Sequence, residues 1–182
     1  MQPEIKCSAQ EKFSEPEKLD PAFSSSIRKA EKSGIPTVIA QAKNEYGLWL
    51  MSQDQRRYIE AAPLFREVAK IQESQNNRIE VANAYHRLSN CLFLIGDVEG
   101  LREAEEAVKK AIEFYPDSED FTELKETAII KRIAILESLA HQTGNGDYFN
   151  QGVKVCKQYA ERLKNSGEVN RELQEKGFIK AA

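Results

Sequence analysis

The chain has 182 residues, of which 41% are hydrophobic, 30% charged and 8% aromatic. Its 26 lysines and arginines nearly balance 29 aspartates and glutamates, which gives a formal net charge of −3. This composition excludes a wholly disordered chain, and the near balance is unlike the basic excess of nucleic-acid-binding proteins. The longest uncharged apolar stretches, such as residues 91–95, are far shorter than the roughly 20 residues of a membrane span. We therefore expect one domain or one compact repeat array, with no membrane span and no nucleic-acid partner.

Residues 1–19 mix charges with two prolines and show no periodicity, so we interpret them as a flexible leader. A helical domain is expected over residues 20–182. It opens with Asp20 as the N-cap and Pro21 at the first helical position of a short helix, which Gly34 ends.

Apolar residues at spacings of three and four predict six further helices, at about 37–52, 58–71, 77–95, 101–115, 121–141 and 148–164. A short last helix is expected from about Glu168 to Ile179, interrupted by Gly177. No segment alternates with a period of two, so the sequence predicts no strands and an all-α fold.

The cysteines and residues 1–19 give information about the cellular compartment of the protein. Cys7, Cys91 and Cys156 have no CxxC spacing, so neither a disulfide framework nor a zinc site is predicted. Cys91 and Cys156 fall in apolar helical patterns, which is typical of buried free thiols. Residues 1–19 lack the apolar core of a secretory signal, and their glutamates are unlike a transit peptide. These features favour a cytoplasmic protein, with a nuclear one as the alternative.

The six longer helices form three hairpins of similar length, which suggests a repeat. At three places in the chain, a small residue is followed by larger ones four and seven positions later. The small residue is Ala61 in the first unit, Ala104 in the second and Gly152 in the third. The first two are 43 residues apart, and the last two are 48 residues apart. The small residue allows close helix approach, and the larger residues fill the seam. A Gly-Asp turn likewise recurs at Gly96 and Gly146.

The second hairpin resembles a tetratricopeptide repeat in the order of its aromatic, apolar, turn and small residues: Tyr85, Leu88, Leu92, Gly96, Asp97, Ala104, Val108, Ala111 and Pro116. The resemblance covers roughly residues 37–165 in three degenerate units. Their spacing exceeds the roughly 34 residues usual in the family and is similar to the attachment-protein type of this solenoid. The resemblance implies an all-α, right-handed α-solenoid of about three helical hairpins with a C-terminal capping helix. An ordinary helical bundle is the alternative.

Catalytic chemistry finds little support in the sequence. His86 and His141 are the only histidines, and neither has a neighbour at metal-ligand spacing. There is no glycine-rich phosphate loop and no nucleophile elbow. The carboxylates alternate with lysine and arginine on polar helix faces, as on a solvated surface. We therefore predict a protein that is not an enzyme, with no catalytic residue, metal site or cofactor.

Binding is the class of function that the resemblance implies, because the first helix of each hairpin then lines a concave groove. Asn83, His86 and Asn90 are spaced to form a polar stripe beside the apolar face of one such helix, and Phe93 lies off both. Lys43 occupies the comparable position 43 residues before His86. Asparagine and histidine can hydrogen-bond a peptide backbone, so these five residues are the predicted protein-binding site. A merely hydrated helix face is the alternative.

The sequence thus predicts a non-catalytic protein–protein interaction module, adaptor or scaffold that holds a helix or extended peptide of another protein. Chaperone-binding members of the resembled family clamp a C-terminal carboxylate with basic and asparagine residues. Gly47 stands where that clamp has an asparagine, so a chaperone-tail receptor is not expected. One alternative is a structural subunit of a larger assembly, for which self-association is possible. Another is a small helical enzyme or ligand sensor with a site between helices.

Overall fold

The computed structural model describes residues 21–53 and 57–165, and these ranges contain seven α-helices and no strand. The helices are α1 (Pro21–Ser33), α2 (Pro36–Gln53), α3 (Tyr58–Ser74), α4 (Arg78–Ile95), α5 (Val98–Phe114), α6 (Glu119–Thr143) and α7 (Gly146–Asn165). The predicted all-α class is confirmed for the described ranges. No helix within them combines the length and the apolar character needed to cross a membrane.

Several helices begin or end at residues that favour helix termini, namely glycine and aspartate. Gly96 and Gly144 end α4 and α6 in the left-handed region, with φ of 78° and 66°, where glycine is favoured over other residues. Asp97 caps α5, because its side chain accepts a hydrogen bond of 2.6 Å from the backbone N–H of Gly100. The predicted helices agree with the observed ones to within a few residues. The predicted leader and the last helix from Glu168 lie outside the described residues.

The helices pack chiefly against their neighbours in the chain. One core runs through α2 to α6, where Phe65, Leu88 and Ile135 are almost completely buried. Burial of each such side chain contributes about 1.5–3 kcal/mol. A smaller cluster joins α6 to α7 and contains Ile129, Leu136, Val155 and Tyr159. The core therefore extends along the order of the helices.

Contacts of aromatic rings and one glycine set how α1, α2 and α3 pack against one another. The ring of Phe23 in α1 lies 5.0 Å from that of Tyr46 and 5.2 Å from that of Trp49, both in α2. At Gly47, an added Cβ would lie only 2.8 Å from the buried ring of Phe65 in α3. Glycine at this position is therefore what allows α2 and α3 to approach so closely.

Side-chain bonds also join alternate helices. Arg87 of α4 donates to the Asn44 Oδ1 atom of α2 at 2.6 Å. Gln142 of α6 donates to the carbonyl of Gly96 at the end of α4, at 2.9 Å. On α3, Arg66 binds both carboxylate oxygens of Glu103 on α5, at 2.7 and 2.9 Å, and its pKa is raised by this hydrogen bonding. At these contacts α4 lies beside both α2 and α6, and α3 lies beside α5.

Candidate protein-binding site

Three of the predicted site residues follow one another along α4. The imidazole of His86 is buried, with 9% of the residue exposed, whereas Asn83 and Asn90 are half-buried. Tyr115, directly after α5, places its hydroxyl 3.2 Å from the His86 Nδ1 atom and donates to the Asn83 Oδ1 atom at 3.1 Å. Because this hydroxyl proton goes to Asn83, His86 must donate from Nδ1. His86 and Asn83 are therefore already hydrogen-bonded within the protein.

His86 lies among positive charges. Its pKa is lowered from the ordinary value, first by burial and then by the charges of Lys131 on α6 and Arg87 on α4. Since the ordinary pKa is already about 6.5, the imidazole of the folded protein is neutral at pH 7.

Asn90 and Phe93 continue the same helix toward its end. The Asn90 Oδ1 atom is buried and has no hydrogen-bond partner among the described residues. Phe93 is half-buried, and the ammonium of Lys131 lies 4.7 Å from the centre of its ring. That distance is within the range of a cation–π interaction. Lys131 therefore contacts one predicted site residue and acts electrostatically on a second, His86.

Lys43 is bound by carboxylates of α1 and α3. Its ammonium binds the carboxylate of Glu67 on α3 and lies 3.6 Å from that of Glu31 on α1, and only 15% of its side chain is exposed. The charge of Lys43 is thus neutralised where three helices meet. The residue of α2 that reaches α4 is instead its neighbour Asn44, through Arg87.

Sequence reasoning missed Arg87, Lys131, Asn44 and Tyr115. For one pair a signal was present, because Asn44 and Arg87 are 43 residues apart, which is also the spacing of the first two repeat units. Lys131 had no such signal, since its place beside α4 depends on how α6 packs.

The cations of the described ranges differ in their partners. Eight lysines and arginines there are buried or half-buried. Six of them lie within 4.0 Å of a carboxylate: Lys43, Arg57, Arg66, Lys109, Lys125 and Arg132. The other two are Arg87 and Lys131, for which the described residues supply no carboxylate at that distance. Both of these act on His86. Arg87 and Lys131 thus lack the close carboxylate partner that the other six cations have.

Metal ligands, free thiols and grooves are the other features that could mark a functional site. No group of three His, Cys, Asp or Glu side chains there could hold a metal ion. Cys91 is a buried free thiol, as predicted, and burial raises its pKa to about 12, whereas Cys156 is only half-buried. A groove of about 330 Å³ between α1 and α2 is lined by Ser26, Lys29, Ala30, Val38, Gln41, Ala42 and Glu45, and it includes no predicted site residue.

Comparisons with models of known protein families, with curated proteins and with solved structures give no match. The resemblance to tetratricopeptide repeats therefore stays a prediction, carried by the sequence pattern of residues 37–165.

Proposed function

We propose that this protein is a non-catalytic interaction module of the cytoplasm. In this proposal, α2–α3, α4–α5 and α6–α7 are the hairpins of a right-handed tetratricopeptide-like solenoid. A helix or extended segment of another protein lies along the surface of α2, α4 and α6, which we call the first-helix surface. The predicted C-terminal capping helix lies outside the described residues.

The observation that carries this proposal is the pair of bonds from α4 to its alternate neighbours. Arg87 reaches Asn44 on α2, and Gln142 of α6 reaches the end of α4. Together with packing between consecutive helices, these bonds support a stack in which first helices adjoin first helices. A stack of this kind has an extended surface that suits a linear segment.

The side chains of the first-helix surface support binding over catalysis. The imidazole of His86 is neutral but buried against Tyr115, so it is poorly placed to meet a substrate. The thiol of Cys91 has a pKa of about 12, which disfavours the nucleophilic thiolate at neutral pH. Asn90 and Phe93 are instead both half-buried, so part of each residue is accessible to a partner.

A peptide-display selection on the full chain tests this proposal. Peptides recovered from a random library are synthesised, and their affinities are measured for wild type and for the variant Asn90→Ala/Phe93→Leu, which spares the hydrogen bonds of His86. The matched control is Lys70→Ala/Glu106→Ala, which changes exposed residues of α3 and α5. We expect the first variant to weaken binding about tenfold and the control to leave it within about twofold.

Two results would contradict the proposal. One is a selection that enriches no peptide. The other is a set of peptides whose affinity is the same for the α4 variant as for wild type. The variant's helical content and melting temperature are measured alongside, so that loss of binding is separated from loss of folding.

A further inference from the structure

Arg87 and Lys131 differ from every other buried or half-buried cation of the described ranges, because no described carboxylate lies within 4.0 Å of either. Removing a charge from water is unfavourable unless an opposite charge or hydrogen bonds compensate for it. Burial accordingly lowers the pKa of Lys131. A protein that keeps two such cations loses stability for a feature that folding does not need.

The two cations lie on contacting helices, α4 and α6. Both act on the imidazole of His86, which Tyr115 contacts from the end of α5. Arg87 comes from the same helix as His86, and Lys131 comes from α6. Arg87 is held by its bond to Asn44, and Lys131 lies over the ring of Phe93. The positive charge therefore has a defined position on the first-helix surface.

We propose that Arg87 and Lys131 bind aspartate or glutamate side chains of an acidic segment of a partner protein. This inference rests on the proposed function and names the chemistry of the partner. One N–H of the Arg87 guanidinium is used by Asn44, which leaves other donors for a carboxylate. The ammonium of Lys131 supplies a second point of positive charge for the same or a neighbouring acidic residue.

Charge complementarity favours an acidic protein segment over a nucleic acid. A polyphosphate backbone is held by many cations at regular spacing, and binding proteins show a basic excess. This chain has a net charge of −3, and among the buried and half-buried cations of the described ranges only Arg87 and Lys131 have no carboxylate within 4.0 Å. Two cations that both act on His86 are few enough to be matched by a few carboxylates.

The test is a display selection on the full chain with random peptides fused at their C-termini, so that no terminal carboxylate is presented. We expect the recovered peptides to be enriched in aspartate and glutamate. For a synthetic, C-terminally amidated copy of one peptide, Arg87→Gln/Lys131→Gln is expected to weaken binding about tenfold or more. Changing the peptide's acidic residues to their amides gives a similar loss, and the two losses are not additive.

The matched control is Lys70→Gln/Lys154→Gln, which removes the same charge from exposed positions on α3 and α7. We expect the control to bind within about twofold of wild type, because exposed charges are screened. Lys131→Gln alone serves as the second variant, since it leaves the Arg87–Asn44 bond intact. Arg87→Lys keeps the positive charge and is expected to retain part of the affinity.

The outcomes separate the two proposals. Recovered peptides that need Asn90 and Phe93 but carry no acidic enrichment overturn this inference and leave the proposed function standing. Peptides that are indifferent to all α4 variants overturn both. Equal loss in the control pair shows a diffuse charge effect and overturns the inference. It is also overturned if a single-stranded oligonucleotide or a phosphoserine copy of the peptide binds as tightly as the acidic peptide.

Discussion

Two neighbouring residues of α6, Lys131 and Arg132, are expected to respond in opposite ways to the same substitution. Both are half-buried cations, and methionine replaces each with an apolar chain of similar reach. Arg132→Met removes the partner of a buried carboxylate. Lys131→Met removes a charge that has no carboxylate partner among the described residues. We therefore expect a large loss of stability for Arg132→Met and little or none for Lys131→Met.

The magnitude for Arg132 follows from its contacts. Its Nε and Nη2 atoms lie 3.0 and 2.9 Å from the Glu105 Oε1 atom, and only 10% of the Glu105 side chain is exposed. Burial already raises the pKa of Glu105 despite the nearby Arg132 and Lys109. Removing one partner of a buried ion pair costs about 3–5 kcal/mol. Because Lys109 remains 3.8 Å from Glu105, we expect a loss of about 2–3 kcal/mol.

The estimate for Lys131 has two opposing parts. Loss of the cation–π contact with Phe93 costs about 0.5–1 kcal/mol. A methionine sulfur near the same ring regains about 0.3–1.5 kcal/mol, and the unfavourable burial of an ammonium is relieved. The net change is therefore within about 0.5 kcal/mol of wild type, or is stabilising.

Urea unfolding of the full chain measures both variants, with helical circular dichroism and the fluorescence of the single tryptophan, Trp49, as probes. If the denaturant m-value is roughly 2 kcal/mol/M, Arg132→Met lowers the urea midpoint by about 1–1.5 M, and Lys131→Met leaves the midpoint in place. Coincident curves from the two probes validate the comparison. If Lys131→Met costs as much as Arg132→Met, Lys131 has a compensating partner in the free protein and the reasoning about uncompensated charge is wrong.

Three further substitutions test the packing around the site. Tyr115→Phe removes the hydroxyl shared by two α4 side chains and should cost about 1–3 kcal/mol in urea unfolding, whereas the control Tyr58→Phe stays within about 0.5 kcal/mol. The pKa of His86 is lowered in the folded protein, so the histidine of the unfolded chain takes up a proton first on acidification. Wild type should therefore lose stability relative to His86→Gln as the pH falls below about 6.5. Parallel curves of stability against pH for the two proteins would argue against a buried neutral imidazole. Gly47→Ala places a Cβ 2.8 Å from the Phe65 ring and should destabilise the folded protein by about 1–2 kcal/mol, despite alanine's higher helix propensity. A raised melting temperature would instead show that α2 and α3 pack more loosely.

The helices were predictable because their ends depend on local chemistry. Glycines that adopt positive φ, such as Gly96 and Gly144, end helices whatever lies around them, and Asp97 caps α5 from its own sequence neighbourhood. The apolar periodicity also predicted the helices themselves, since spacings of three and four place residues on one helix face.

The binding site was less predictable because its side chains are placed by other helices. Periodicity put His86 beside the apolar stripe of α4, but α4 packs against both α3 and α5 and touches α6, so the buried arc is wider than the stripe. Lys43 had the expected register, yet carboxylates of α1 and α3 neutralise it. The absence of such carboxylates from the described surroundings of Arg87 and Lys131 emerges only when all the helices are in place.

The central claim is that Lys131 and Arg87 meet carboxylates of a bound segment, and zero-length carbodiimide cross-linking tests it most directly. The reagent joins an amine to a carboxylate only where the two are in contact. Full chain is mixed with an acidic peptide from the selection, treated with carbodiimide and mapped by mass spectrometry. We predict an amide between the peptide and Lys131 that disappears in Lys131→Gln and is not formed at the exposed Lys70. Cross-links spread over exposed lysines, with none at Lys131, would contradict the claim.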